Sequence, residues 1–203
     1  MQLYFRPFAC SLASRIAIVE SGQEASFHHV DGATLSDGAD YKTVNPLGYV
    51  PALHIGEDRV LTENTAILQY IADKAPNSGL LPPVGDPQRY RVLEWLGFVA
   101  TELHAKLFGG IFGAATEEAK EAAREKGKSR LQHLSEHLAD RQFLVEHHFT
   151  IADAYLVAVL NWCEYTGVDI KAFPTLSAYR TRLRARPGVA QAMADERPLL
   201  KVA

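Results

Sequence analysis

Two neighbouring residues near the start of the chain, Cys10 and Ser11, put a thiol and a hydroxyl between a strand-like run at 2–5 and an amphipathic run at 13–21. A group at such a junction meets the free amides and the positive dipole end of the following helix, which stabilise a thiolate. Positions of this kind lower a cysteine below its free value of about 8.5, so Cys10 is the best candidate nucleophile or thiol-binding residue in the chain. A partly buried small hydrophobe is the other reading of the same side chain. The third residue after it is Ala13, not a second cysteine, so a disulfide at Cys10 requires an external thiol. Cys163 lies in the apolar stretch Leu160-Asn161-Trp162-Cys163 and reads as core.

Two further places can hold a ligand through backbone groups. Val50-Pro51 begins a strand-like run, where a cis proline turns the preceding backbone outward and leaves an edge to which an extended peptide adds; an ordinary edge-strand proline is the alternative. Thr62-Glu63-Asn64 precedes a helical pattern, so free amides there could take a carboxylate while Glu63 takes an ammonium, clasping an amino-acid zwitterion. Plain helix capping accounts for the same residues without a ligand. The pairs His133/His137 and His147/His148 have no third metal ligand nearby, and neither supports a metal site.

The elements that must position these groups change character along the chain. Residues 1–76 alternate strand and helix patterns: strand 2–5, helix 13–21 closed by Gly22, strand 27–30, a polar loop at 31–45 with room for one helical turn, a hairpin 49–55 and 59–61, and a helix at 65–75. This βαβ, loop, ββα order predicts an α/β domain. Residues 77–86 concentrate proline and glycine and read as a linker. From 87 to 203 only helical patterns occur, at 88–112, 117–139, 151–165, from Pro174 to 186, and in a short last helix after Pro187-Gly188. The segment 151–165 is apolar nearly all round, with Thr150 and Asp153 forming a capping box, and should be the centre of an all-helical bundle.

Composition narrows the function classes. At 203 residues with 47% hydrophobic and 22% charged residues, the chain is an ordinary globular protein. No apolar run approaches the roughly 20 residues of a membrane span, and Met1 leads into Leu3-Tyr4-Phe5 without a signal-peptide pattern. With two cysteines as well, a cytoplasmic protein without a membrane partner is expected. A formal charge of -3 offers no attraction to nucleic acid, and Arg180, Arg182, Arg184 and Arg186 scatter around a helix rather than forming one stripe.

Cys10 after the first strand, Asn45-Pro46-Leu47-Gly48-Tyr49-Val50-Pro51-Ala52-Leu53, the run from Leu61-Thr62-Glu63-Asn64 to Ile71, and Thr150-Ile151-Ala152-Asp153 together resemble the cytosolic glutathione transferases. Ala9-Cys10-Ser11-Leu12 and Glu102-Leu103-His104 resemble the bacterial beta class in particular, and the likeness spans almost the whole chain. The resemblance implies a thioredoxin-like N-terminal domain that holds glutathione, an all-helical C-terminal domain that holds an electrophile, and a two-fold homodimer. It implies glutathione as co-substrate and no tightly bound cofactor. By resemblance, Tyr49, Val50 and a cis Pro51 border the cysteinyl part of glutathione, and Glu63 and Asn64 hold its γ-glutamyl end. Cys10, Ser11 and His104 meet at its sulfur, where Ser11 donates a hydrogen bond.

The chain departs from the family pattern at three places. Asn64 stands for the usual serine, changing the reach and adding donors; Ala105 stands for the lysine that commonly follows the histidine, with Lys106 rotated about 100° further round the helix; and Phe5 replaces a common tyrosine. Phe8, Phe108, Ile111, Phe112, Trp162 and Tyr165 are candidate walls of an apolar hollow for the second substrate, with core packing as the alternative for each. Three functions remain open: conjugation of glutathione to small hydrophobic electrophiles, glutathione-dependent disulfide reduction through Cys10, and non-catalytic ligand binding.

Overall fold

A computed structural model describes residues 1–57, 59–145 and 147–200. Strand β1 (Gln2–Phe5) is joined through helix α1 (Ser11–Glu20) to the parallel β2 (Ser26–Asp31). A short β3 (Thr34–Leu35) returns antiparallel on β2, while β4 (Ala52–His54) lies antiparallel on β1 and carries β5 (Val60–Leu61). The five-stranded sheet has the order β3-β2-β1-β4-β5. Alternation along β1 divides its side chains: Leu3 and Phe5 join the main core with α1 and α2 (Asn64–Lys74), whereas Tyr4 joins Val30, Tyr41 and Ala52 in a smaller cluster.

The segment 31–45, expected as a loop with room for one helical turn, contains that turn as a 3₁₀ turn at Tyr41–Thr43 and also the short β3. Tyr41 is fully buried in the smaller cluster, which gives this polar stretch its anchor. Helix α1 is buried from Ser11 to Ile18 because α2 and two later helices, at Ile151–Leu160 and Pro187–Glu196, pack on it in addition to the sheet.

Beyond a proline-rich connection every regular element among the described residues is helical. Helix α3 (Pro87–Phe98) runs into a π-helical stretch, Val99–Phe108, and then α4 (Gly109–Phe112), where an uninterrupted α-helix was expected. Gly109 N–H donates to the His104 carbonyl, five residues back. Helix α5 (Glu117–His137) crosses this stretch closely at Gly127, where a Cβ would stand 2.3 Å from Leu107 Cδ1.

At the bundle's centre α6 (Ile151–Leu160) is buried at every residue. Its Asp153 carboxylate accepts from the amides of Leu144 and Thr150, from the Thr150 hydroxyl and from Tyr179 OH. The expected 151–165 helix breaks at Asn161–Trp162, resuming as α7 (Cys163–Thr166). Arg180 donates to the Leu160 carbonyl there, at 3.3 Å. Two helices follow, α8 (Pro174–Arg184) and α9 (Pro187–Glu196), the latter opened by Pro187 at its first position. Among the arginines of α8 and its end, Arg180 and Arg184 share Glu164, and Arg186 grips Glu20 with two bonds. No described helix is long and apolar enough to cross a membrane.

Candidate active site

A cavity of about 1170 Å³ opens between the sheet's β1 and β4 ends, α2 and the helical bundle. Cys10, Tyr49, Val50, Pro51, Glu63 and Asn64 border it from the N-terminal half, and His104, Phe112, Trp162 and Tyr165 from the helical half. Phe8 lies where the halves meet.

Cys10 is the N-cap residue of α1, and its S–H donates to the Val50 carbonyl at 3.3 Å. The Val50–Pro51 peptide is cis. Burial pushes the Cys10 thiol up to about 12, overcoming its own amide and that of Ser11, which favour the thiolate. The lowered thiol expected from the helix terminus therefore does not occur in this state, because the sulfur is withdrawn from water as it meets the amides.

Ser11 takes no part in the cavity wall. Its side chain is fully buried, accepting from Arg6 N–H at 3.2 Å and donating to Arg6 O at 3.1 Å, so its hydroxyl braces the turn rather than reaching a ligand. Phe108 and Ile111, expected as walls, are also buried and lie outside the lining; Phe108 supports Trp162 from behind, edge-on at 5.5 Å. Tyr49, Phe112 and Tyr165 are more than half exposed at the rim.

Glu63 has a left-handed backbone, φ 65°, immediately before the first turn of α2. The first-turn amides of any helix lack an intrahelical acceptor, so a carboxylate can be met there. Asn64, expected to offer extra donors to a ligand, uses its side chain inward: Nδ2 donates to the Cys10 carbonyl at 3.0 Å and Oδ1 accepts from the Ser14 hydroxyl at 2.7 Å.

His104 sits in the middle of the π-helical stretch, with Nδ1 2.5 Å from Tyr155 OH and its ring edge-on to Trp162 at 4.9 Å. Burial lowers the imidazole and raises the phenol, so both are neutral near pH 7. Lys106 points away and pairs with Glu102 at 2.5 Å, while the small Ala105 borders the cavity in its place. Phe5 is buried beneath the Arg15 guanidinium, 4.3 Å from its ring centre.

Sequence reasoning missed two residues that hold this site. Tyr155 was hidden in the apolar run of α6, where it alone carries a hydroxyl. Glu196, in the last helix, accepts the Phe8 N–H at 2.7 Å, and Trp162 Nε1 donates to the Phe8 carbonyl at 2.8 Å. Both peptide groups of Phe8, itself left-handed at φ 55°, are thus gripped from the helical half. His133 and His137 lie against the Trp95 ring, and no group of at least three metal-binding side chains occurs among the described residues.

Residues 1–73 match the family description "Glutathione S-transferase, N-terminal domain", and residues 91–187 match "Glutathione S-transferase, C-terminal domain". The chain is 41% identical over 198 residues to glutathione S-transferase GstA of Escherichia coli O157:H7, covering 97% of this chain and 98% of that one. It superposes on a sphingomonad glutathione S-transferase complexed with glutathione at TM-score 0.91 and 43% identity, over 97% of this chain and 98% of the other. A bacterial beta class glutathione S-transferase of Sphingomonas chungbukensis gives TM-score 0.91 at 39% identity, with 97% and 98% coverage. With both halves matched in order and over nearly their full length, the chain belongs to the glutathione S-transferase family.

Proposed function

We propose that glutathione lies along the cavity with its amine at Glu63, its carboxylate on the first-turn amides of α2, its cysteinyl backbone against Val50 beside Pro51 and Tyr49, and its sulfur between Cys10 and His104. A small hydrophobic electrophile then occupies the hollow formed by Phe8, Phe112, Trp162 and Tyr165. The observation that carries this reading is that one cavity is bordered by a carboxylate at the start of a helix, by a thiol and an imidazole, and by aromatic side chains. The tripeptide is co-substrate, and no tightly bound cofactor is required.

In this reading the chain lowers the barrier by holding the glutathione thiolate and aligning it with the electrophile. Burial keeps Cys10 protonated, so it serves as a hydrogen-bond donor to the incoming sulfur rather than as a nucleophile. The Val50 carbonyl, now occupied by the Cys10 S–H, is released to accept the cysteinyl N–H of the tripeptide. With the Tyr155–His104 contact assigned as Tyr155 OH donating to Nδ1, His104 keeps its proton on Nε2 for the same sulfur.

The protein is cytoplasmic and works as a homodimer, with residues 1–76 as the glutathione-binding domain, 77–86 as linker and 87–203 as the electrophile-binding domain. Steady-state assays with an aryl halide and with a glutathione mixed disulfide test the chemistry. Conjugation is expected to persist in Cys10→Ala within roughly a hundredfold of wild type, as for the loss of one hydrogen bond to a charged sulfur. Loss of all turnover in that variant, with mixed-disulfide reduction in the wild type, would establish the reductase instead.

A further inference from the structure

Asn64 borders the cavity, yet its side-chain amide bonds to α1 in the interior. It opens α2 directly after Glu63, and its buried side chain reaches across to α1. There Nδ2 donates to the carbonyl of Cys10, which also receives the first-turn N–H of Ala13 at 3.1 Å. The remaining acceptor of the amide is filled by the Ser14 hydroxyl, at 2.7 Å. Ser14 is fully buried one turn into α1 and does not border the cavity. Both bonds lie in the interior, where the loss of either partner leaves a polar group stranded.

The consequence is geometric. Cys10 caps α1 and Glu63 precedes α2, so one side-chain amide sets the separation of the sulfur end from the amine end. Glu63 is left-handed, a conformation that persists only where its surroundings fix it, and the anchored Asn64 supplies that restraint on one side. We propose that Ser14 and Asn64 form a positioning pair that spaces the glutathione site, with Ser14 controlling tripeptide affinity although it touches no substrate. This inference rests on glutathione spanning Cys10 to Glu63 as proposed above.

Kinetics of wild type, Ser14→Ala, Asn64→Ala, the double variant and Glu63→Ala, with either substrate varied, test the pair. Ser14→Ala should raise KM for glutathione roughly three- to tenfold, the scale of one hydrogen bond, and leave KM for the electrophile unchanged. The double variant should be no worse than Asn64→Ala alone, because the second substitution removes a bond already broken. Should Asn64→Ala not fold, Asn64→Asp replaces it; it keeps the acceptor for Ser14, removes the donor to Cys10 and should raise the same KM. Wild-type KM for glutathione in Ser14→Ala, or multiplicative effects in the double variant, overturns the pair while a weakened Glu63→Ala leaves the site assignment standing. Unchanged glutathione kinetics in Glu63→Ala would overturn the site assignment itself.

Discussion

The carboxyl of Glu196 should make the protein less stable as pH rises, the reverse of what an ion-paired carboxylate does. The side chain is fully buried, and its Oε2 accepts the Phe8 N–H at 2.7 Å. Arg15 Nε stands 3.0 Å from Oε1 but is not aligned as a hydrogen bond, and the guanidinium is shared with Asp195 at 3.6 Å and sandwiched between Phe5 and Phe27. Burial outweighs these partners and pushes the carboxyl from an ordinary 4.5 up to about 7. The native state therefore holds a proton that the unfolded chain has lost. Its contribution to stability is complete below the unfolded value, declines between the two values, and is gone above about 7. At about 1.4 kcal/mol per pH unit, that gap sets a ceiling of about 3 kcal/mol. Urea unfolding of wild type and Glu196→Gln between about pH 5 and about pH 8 isolates the effect, since the buried histidines contribute equally to both proteins. The wild-type advantage over the glutamine variant should shrink by up to about 3 kcal/mol across that range. An advantage that grows with pH would refute the reasoning and show that Arg15 governs the carboxylate.

Other consequences are local. Burial pushes Cys10 and Cys163 both up to about 12, so alkylation by iodoacetamide near neutral pH should run at least about a hundredfold slower than for a free thiol and accelerate on unfolding; ordinary thiol rates in the native protein would contradict this. Trp162→Phe removes the donor to the Phe8 carbonyl, and should cost about 1–3 kcal/mol in unfolding free energy while lowering kcat/KM. Gly127→Ala drives a methyl into Leu107, so a loss of about 1–3 kcal/mol is expected, read as a fall in Tm.

Local signals were legible in the sequence wherever chemistry and element boundaries coincide. Cys10 at the β1–α1 junction, Val50 before Pro51 and Glu63 ahead of α2 are each marked by the turn or cap they occupy, and the structure gathers all of them at one cavity. The direction of a side chain within a marked segment is a tertiary property. Ser11 and Asn64 look like ligand donors in sequence, yet Ser11 bonds to the carbonyl and amide of Arg6, and Asn64 to the Cys10 carbonyl and the buried Ser14 hydroxyl. Helical spacing likewise cannot separate Phe112 at the rim from the buried Phe108 and Ile111, because which face of the helix meets the cavity is set by the packing of the other helices. Glu196 has no local mark at all: its role arises from contact with Phe8, 188 residues away.

The tripeptide's position is the claim on which the rest depends, and a crystal structure of the complex with glutathione tests it directly. The expected density has the amine against Glu63, the cysteinyl backbone on Val50 and the sulfur within hydrogen-bonding distance of Cys10 and His104. A tripeptide bound in the opposite direction, or held elsewhere on the protein, would contradict the account.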